Sequence, residues 1–93
     1  MLQTVKILGV SYKIEEVPCV SKEVLRMGQV DHIRKVISID SALTEQGKQV
    51  TLLHEIIHCI LHSLGYYDEH DNETFVQGLA STLYQVLVEN KLF

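Results

Sequence analysis

The sequence lacks the features that mark several large classes of protein. Its two cysteines, Cys19 and Cys59, are too few for the disulfide framework of a small secreted domain. The formal net charge is −4, and no cluster of lysine or arginine appears, which argues against a nucleic-acid-binding protein. No apolar run approaches the roughly 20 residues of a membrane span, and the N-terminus has no signal-peptide pattern. We therefore expect a cytoplasmic protein that binds neither nucleic acid nor membranes.

The length and composition indicate one small globular domain, residues 1–93. The chain has 93 residues, of which 46% are hydrophobic, so its core is just large enough to fold alone. A bound metal ion would add stability that so small a domain could use. We interpret Cys59 as a small buried hydrophobic residue rather than a metal ligand or a redox switch. Nothing in the sequence indicates an oligomeric state.

The most specific pattern is the H-E-x-x-H motif of residues 54–58. No proline or glycine interrupts residues 48–64, so the motif is predicted to lie on a continuous, apolar helix. Positions four apart lie on one face of a helix in adjacent turns, so His54 and His58 can hold one metal ion. Glu55 can then act as the general base on water at the metal. The pattern predicts a zinc-dependent hydrolase, most often one that cleaves peptide bonds.

Strands are predicted in the first forty residues. Thr4 to Val10 and Tyr12 to Val17 form either a hairpin or one long bent strand. Ser21 to Met27 is ambiguous between a short helix and a strand, and Gly28 is expected to end it. His32 to Asp40 alternates in polarity and predicts a further strand.

Two long helices are predicted after the strands. The first carries the motif, with Ser41 or Thr44 as its N-cap and Gly65 as its C-cap. A polar, turn-like segment follows, and the second helix begins at residue 72 or 73 and ends near Asn90, with apolar positions at helical spacing. The order of elements predicts an α+β domain in which a small antiparallel sheet packs on two long helices.

A third metal ligand must come from outside the motif, because a catalytic zinc ion usually has three protein ligands and one open position. Glu73 is our choice, since it stands at the start of the second helix as the chain folds back. Glu69, His70 and Asp71 are rivals, and His70 is the strongest of them because imidazole is a common zinc ligand. His62 is excluded because it lies two turns from the first motif histidine.

Three further predictions concern residues around the site. Tyr66, Tyr67 and His70 are candidates for stabilising an oxyanion beside the metal. His32 is expected to face solvent. The edge of the strand from His32 to Asp40 could accept an extended substrate peptide.

The chain resembles the ImmA/IrrE-type metallopeptidase family, which is common in bacteria and their mobile elements such as phages. The resemblance covers roughly Val36 to Leu87. The segments that carry it are Ile37 to Asp40, Gln49 to His58 and Glu73 to Ala80.

The resemblance implies a minimal zincin-like metalloprotease domain. It implies that zinc is bound by the two motif histidines and by a glutamate of the following helix, which are His54, His58 and Glu73. The motif glutamate, Glu55, would be the base. Members often cleave a transcriptional repressor, so a regulatory protein is an expected partner. Unlike many members, these 93 residues include no helix-turn-helix segment.

The leading functional hypothesis is a zinc-dependent metallopeptidase that acts on a protein or peptide substrate. The alternative is a non-catalytic, zinc-binding interaction module that keeps the metalloprotease fold, because so short a chain leaves little room for a walled substrate cleft. A third hypothesis is a zinc hydrolase that acts on a bond other than a peptide bond.

Overall fold

The structure, a computed structural model, describes residues 2–18, 20 and 26–93. Within these residues the chain forms four strands and three helices. They are, in chain order, β1 (Thr4–Ile7), β2 (Val10–Val17), β3 (Gly28–Asp31), β4 (Val36–Asp40), α1 (Glu45–Leu64), α2 (Tyr67–His70) and α3 (Glu73–Glu89). The predicted α+β class is correct. Cys19 and most of the ambiguous segment from Ser21 to Met27 lie outside the described residues.

The four strands form one mixed sheet in the order β1-β2-β4-β3. The two outer pairs are antiparallel, whereas the central pair, β2 and β4, is parallel. The prediction of a wholly antiparallel sheet is therefore wrong. The reason lies in β3, which takes the outer edge and runs back along the sheet, so that β4 enters beside β2 in the same direction.

Two tight turns set the strand boundaries. Of the two alternatives for residues 4–17, the hairpin is correct, and its turn is at Leu8 and Gly9, both with positive φ (50° and 79°), as a two-residue turn of type I′ requires. The predicted continuous strand from His32 to Asp40 is wrong, because residues 32–35 form a turn. The Asp31 carboxylate accepts hydrogen bonds from the backbone N–H groups of residues 33 and 34, at 3.0 and 2.9 Å. This local capping outweighs the alternating polarity.

The helix ends follow the predicted capping chemistry. The Thr44 hydroxyl accepts a hydrogen bond from the backbone N–H of Gly47 at 3.1 Å and so begins α1. Gly65 ends the helix in the left-handed conformation, with φ 83°. The Asn72 side chain accepts from the backbone N–H of Phe75 at 3.0 Å and begins α3. The polar segment between the long helices, predicted as a turn, contains the one-turn helix α2.

Alanine at two glycines should change stability in opposite directions. Gly65→Ala is expected to lower the free energy of unfolding by about 1–2 kcal/mol, because a β-carbon is strained in the left-handed region. Gly78→Ala should raise it by about 0.5–1 kcal/mol, because a β-carbon within α3 meets no atom within 4 Å and glycine weakens a helix interior. Urea unfolding measures both values. A change of the same sign in both variants would contradict this account.

The core consists of two clusters on different sides of α1. One face of α1 packs on the sheet around a group of fully or nearly buried side chains: Ile7, Tyr12, Ile14, Ile37, Ile39 and Cys59. A second face packs on α3 through Ile57, Val76 and Ala80. The layers are thus sheet, α1 and α3, so only the first long helix packs on the sheet. A third face of α1, between these two, is left for the motif residues.

The prediction for Cys59 is confirmed. Cys59 is fully buried, and burial raises the pKa of its thiol to about 12, which agrees with a hydrophobic packing role. Across the described residues, no helix has the length and apolar character needed to cross a membrane.

Candidate metal centre

The two motif histidines lie in adjacent turns of α1, on the face turned toward β3 and the start of α3. Their Nε2 atoms are 3.2 Å apart. His58 is buried, and the side chain of His54 is only 14% exposed. The helix therefore brings the two nitrogens together as the four-residue spacing predicts.

Glu73 completes the group from the first turn of α3. One carboxylate oxygen, Oε2, lies 3.0 Å from Nε2 of His54, and the other, Oε1, lies 2.9 Å from Nε2 of His58. Ligand atoms of these three residues all lie within 4.8 Å of one another. The short loop that contains α2 lets the start of α3 drop back beside His58, and Asn72 fixes that start by capping it.

The spacing and chemistry of these atoms fit a zinc ion. Zinc bonds to imidazole nitrogen and carboxylate oxygen are about 2.0–2.1 Å long, so neighbouring ligand atoms of a tetrahedral site lie roughly 3.3 Å apart. The Nε2 atoms of the two histidines, 3.2 Å apart, come close to that value, and each lies 2.9–3.0 Å from a different oxygen of the Glu73 carboxylate. Two imidazole nitrogens and one carboxylate are also a donor set that zinc commonly takes, with a fourth position left open.

The proton on His54 is fixed by Gln77. The amide Nε2 of Gln77 donates to the Ser81 hydroxyl at 3.0 Å, so its carbonyl Oε1 faces Nδ1 of His54 at 2.7 Å. An oxygen acceptor there requires a proton on Nδ1, and in the neutral imidazole that binds metals this leaves a lone pair on Nε2. That lone pair faces a carboxylate and a second imidazole, an arrangement that a cation between them stabilises.

Protonation of His58 is less favourable than binding of a metal ion at this position. Burial lowers the pKa of the His58 imidazole, and the neighbouring His54 and His70 act in the same direction, while Glu73 opposes them. Burial makes a charged imidazolium costly. A metal ion shared among three ligands suits this position better.

Residues 10–79 match the sequence profile of the peptidase M78 family, described as the IrrE N-terminal-like domain. The match spans most of the chain and includes α1, α2 and Glu73. The chain belongs to the M78 family. The predicted resemblance to ImmA/IrrE-type proteins is thereby confirmed, and the family is one of metal-dependent peptidases. No curated protein and no solved structure gives a significant match.

In this M78 domain, Glu55 lies buried beside the candidate ligands. Burial raises the pKa of its carboxyl to about 7, with the nearby Glu73 carboxylate acting in the same direction and His54 and Arg26 opposing. A carboxyl group with a pKa near neutral can both accept and return a proton at the pH of the cell. Arg26 is the one lysine or arginine among the described residues that lines the same cavity.

The cavity beside the H-E-x-x-H motif has a volume of about 540 Å³ and lies between β3 and the two long helices. One wall is formed by Met27 to Val30. The opposite wall carries Thr51, His54, Glu55 and His58 from α1, and Glu73 and Gln77 from α3. A walled cleft therefore exists even in so small a chain.

At Gly28 the strand β3 passes close to α1. A β-carbon at this position would lie 2.6 Å from Cγ2 of Thr51 and 3.0 Å from Oε2 of Glu55. Only glycine leaves these side chains in place. No local sequence pattern indicates this contact, because the two segments meet only in the folded chain.

Gly28→Ala should destabilise the domain by about 1–3 kcal/mol, the usual cost of overpacking. Thr51→Ser removes the methyl group that the new β-carbon would meet at 2.6 Å, so the double variant should recover part of that loss. Urea unfolding of the two single variants and the double variant measures the coupling. A Gly28→Ala protein as stable as the original would contradict the close contact.

The remaining sequence candidates lie in different places. His70 is outside the three-ligand group, and its Nδ1 lies 3.0 Å from Nδ1 of His58. Tyr66 and Tyr67 are more than half exposed and do not line the cavity. His32, expected to face solvent, instead lines the cavity and stacks on His62, with ring centroids 4.0 Å apart.

The sequence analysis did not predict that Gln77 and His62 lie beside the site, although helical spacing could have indicated both. Gln77 follows Glu73 by four residues and so lies one turn further along the same face of α3. His62 follows His58 by four residues on α1 and extends the histidine face. The contact between His32 and His62 depends on the turn at Asp31, which was not predicted because the alternating polarity of residues 32–40 indicates a strand.

Proposed function

We propose that this M78 domain is a zinc-dependent peptidase in which His54, His58 and Glu73 hold the metal and Glu55 is the general base. The observation that carries the proposal is the convergence of two imidazole nitrogens and the two Glu73 carboxylate oxygens, with neighbouring atoms 2.9–3.2 Å apart, beside a buried carboxyl group, at a cavity. Zinc in such a site would supply Lewis acidity, lowering the pKa of water and polarising a carbonyl group.

The chain's own groups supply the proton transfer and the positioning. Glu55 accepts a proton at its carboxylate when water attacks the scissile carbonyl carbon, and returns it to the leaving amine nitrogen. Its burial keeps competing solvent away from that carboxylate and sets its pKa near 7. Gln77 orients the His54 ring, since a fixed Nδ1–H leaves Nε2 directed at Glu73.

We propose that the substrate is an extended segment of a protein or peptide. Among the described residues no strand pairs with the outer edge of β3, and Gly28, Gln29 and Val30 line the cavity. An extended peptide can add to such an edge through backbone hydrogen bonds. A regulatory protein is the partner that the family resemblance favours, and we further propose a cytoplasmic location with no nucleic-acid or membrane partner.

The test is a peptide-library digest by the protein loaded with one equivalent of zinc, analysed by mass spectrometry. Cleavage should appear with zinc, disappear with a chelator and return when zinc is restored. Glu69→Gln is a matched control, because Glu69 is exposed on α2 and lies outside the cavity. Zinc binding without cleavage of any peptide would favour the non-catalytic interaction module.

A further inference from the structure

A second group of histidines lies on the side of His58 away from Glu73. It consists of His32, His62 and His70, which come from the turn before β4, the last turns of α1 and the short helix α2. The rings of His32 and His62 stack with centroids 4.0 Å apart and planes 13° apart. The His70 ring meets both edge-on, at centroid distances of 5.3 and 5.5 Å. The three rings thus form one packed unit beside the metal centre.

The unit touches the metal centre through a single hydrogen bond. Nδ1 of His70 lies 3.0 Å from Nδ1 of His58, and the two rings are nearly perpendicular, at 82°. Two ring nitrogens at this distance share one proton. If His58 binds a metal through Nε2, the proton must be on its Nδ1, and His70 must accept it.

We propose that His70 is a positioning residue that holds the proton and ring of His58 in the form in which Nε2 can bind zinc. The inference rests on the proposed zinc site. It assigns to His70 a role different from the ligand and oxyanion roles that its residue type suggests. His70 would then act on His58 as Gln77 acts on His54. Oε1 of Gln77 lies 2.7 Å from Nδ1 of His54 and accepts its proton in a hydrogen bond.

The fold holds His70 in place for this role. The backbone N–H of His70 donates to the Tyr66 carbonyl at 2.9 Å and closes the turn of α2, while Tyr66 donates to the Leu61 carbonyl at 2.8 Å. The packed rings of His32 and His62 restrict the His70 ring from the other side. A partner held this firmly orients the ligand without losing side-chain freedom on metal binding.

The surroundings of His32 favour an uncharged ring at that position. Nδ1 of His32 is buried and has no hydrogen-bond partner among the described residues. Burial, with the neighbouring histidines and Lys35, lowers the pKa of His32 to about 4. An uncharged His32 beside His70 avoids repulsion of a cation at the metal centre.

Two substitutions at His70 separate the hydrogen bond from the packing. His70→Phe keeps an aromatic ring packed against His32 and His62 but removes the acceptor. His70→Asn removes the ring but can place a carbonyl oxygen near the position of Nδ1. His62→Phe is the matched control. It keeps a ring stacked on His32, and the His62 side chain makes no hydrogen bond to any residue that the structure describes. Each protein is titrated with zinc alone in competition with a chromophoric chelator, and circular dichroism checks its fold.

His70→Phe should weaken zinc binding by about 10–100-fold, the usual effect of losing a partner of a metal-ligating histidine. His70→Asn should recover most of that loss, and His62→Phe should bind almost as the original protein does. Original affinity in His70→Phe, or equal weakening in His70→Asn and His70→Phe, would overturn the inference while leaving the zinc site intact. Failure of the original protein to bind zinc would instead overturn the proposed function, and this inference with it.

A spectroscopic measurement decides the matter if a variant does not fold. In the zinc-loaded original protein, nuclear magnetic resonance should detect a nitrogen–nitrogen coupling through the hydrogen bond between Nδ1 of His58 and Nδ1 of His70. Its absence, with both rings assigned, would overturn the inference.

Discussion

Glu55→Gln should lower the rate of peptide hydrolysis by about 10²–10⁴-fold, the range that a general acid–base group contributes, while zinc remains bound. The amide has nearly the shape of the carboxyl group, but it cannot accept the proton released when water attacks the substrate. The three candidate ligands are untouched by the change. The measurement is the cleavage rate of one library-derived peptide, together with the zinc content of each purified protein.

The matched change Glu69→Gln should leave both the cleavage rate and the zinc content unchanged, because that side chain is exposed on α2. The Glu55 assignment would be wrong if Glu55→Gln cleaved the peptide at the original rate. Loss of zinc together with activity would indicate that Glu55 supports the metal directly rather than acting as a base.

Zinc should raise the melting temperature of the protein by about 10–20 °C. Free zinc at 100 times its dissociation constant adds about 2.7 kcal/mol of stability to the form that binds it. In a domain of this size each kcal/mol shifts the melting temperature by about 4–8 °C. The physical cause is that zinc offsets the electrostatic repulsion among three electron-rich groups, the two imidazoles and the Glu73 carboxylate. Thermal unfolding with a chelator and with excess zinc measures the shift.

Glu73→Gln should lose most of this shift, because it replaces the charged ligand with a neutral amide of nearly equal size. Asp71→Asn is the matched control, since Asp71 lines the same cavity but lies outside the ligand group. Equal zinc shifts in Glu73→Gln and in the original protein would remove Glu73 from the site.

The helices were largely predictable because their signals are local. Thr44 and Gly65 bound α1 through capping chemistry that depends on neighbouring residues, and α3 begins at Asn72 for the same reason. The sheet was less predictable. Whether β2 and β4 pair in parallel depends on where β3 lies, and the turn at Asp31 depends on a carboxylate that accepts two backbone hydrogen bonds.

The candidate site shows the same division. The spacing of His54 and His58 predicts their adjacency, and the fold-back after Gly65 predicts the approach of Glu73, whose carboxylate reaches both rings. The contacts around the site could not be predicted from local sequence patterns. Gly28 meets Glu55 only because the edge strand crosses the motif helix, and His32 meets His62 and His70 only because of a turn that alternating polarity did not reveal.

The most direct test of the central claim is a crystal structure of the zinc-loaded protein with anomalous data collected at the zinc absorption edge. We expect one strong peak at about 2.0–2.1 Å from Nε2 of His54, Nε2 of His58 and a carboxylate oxygen of Glu73. Nδ1 of His70 should remain in contact with His58 rather than with the metal. A peak among His32, His62 and His70, or no ordered zinc at full loading, would contradict the account.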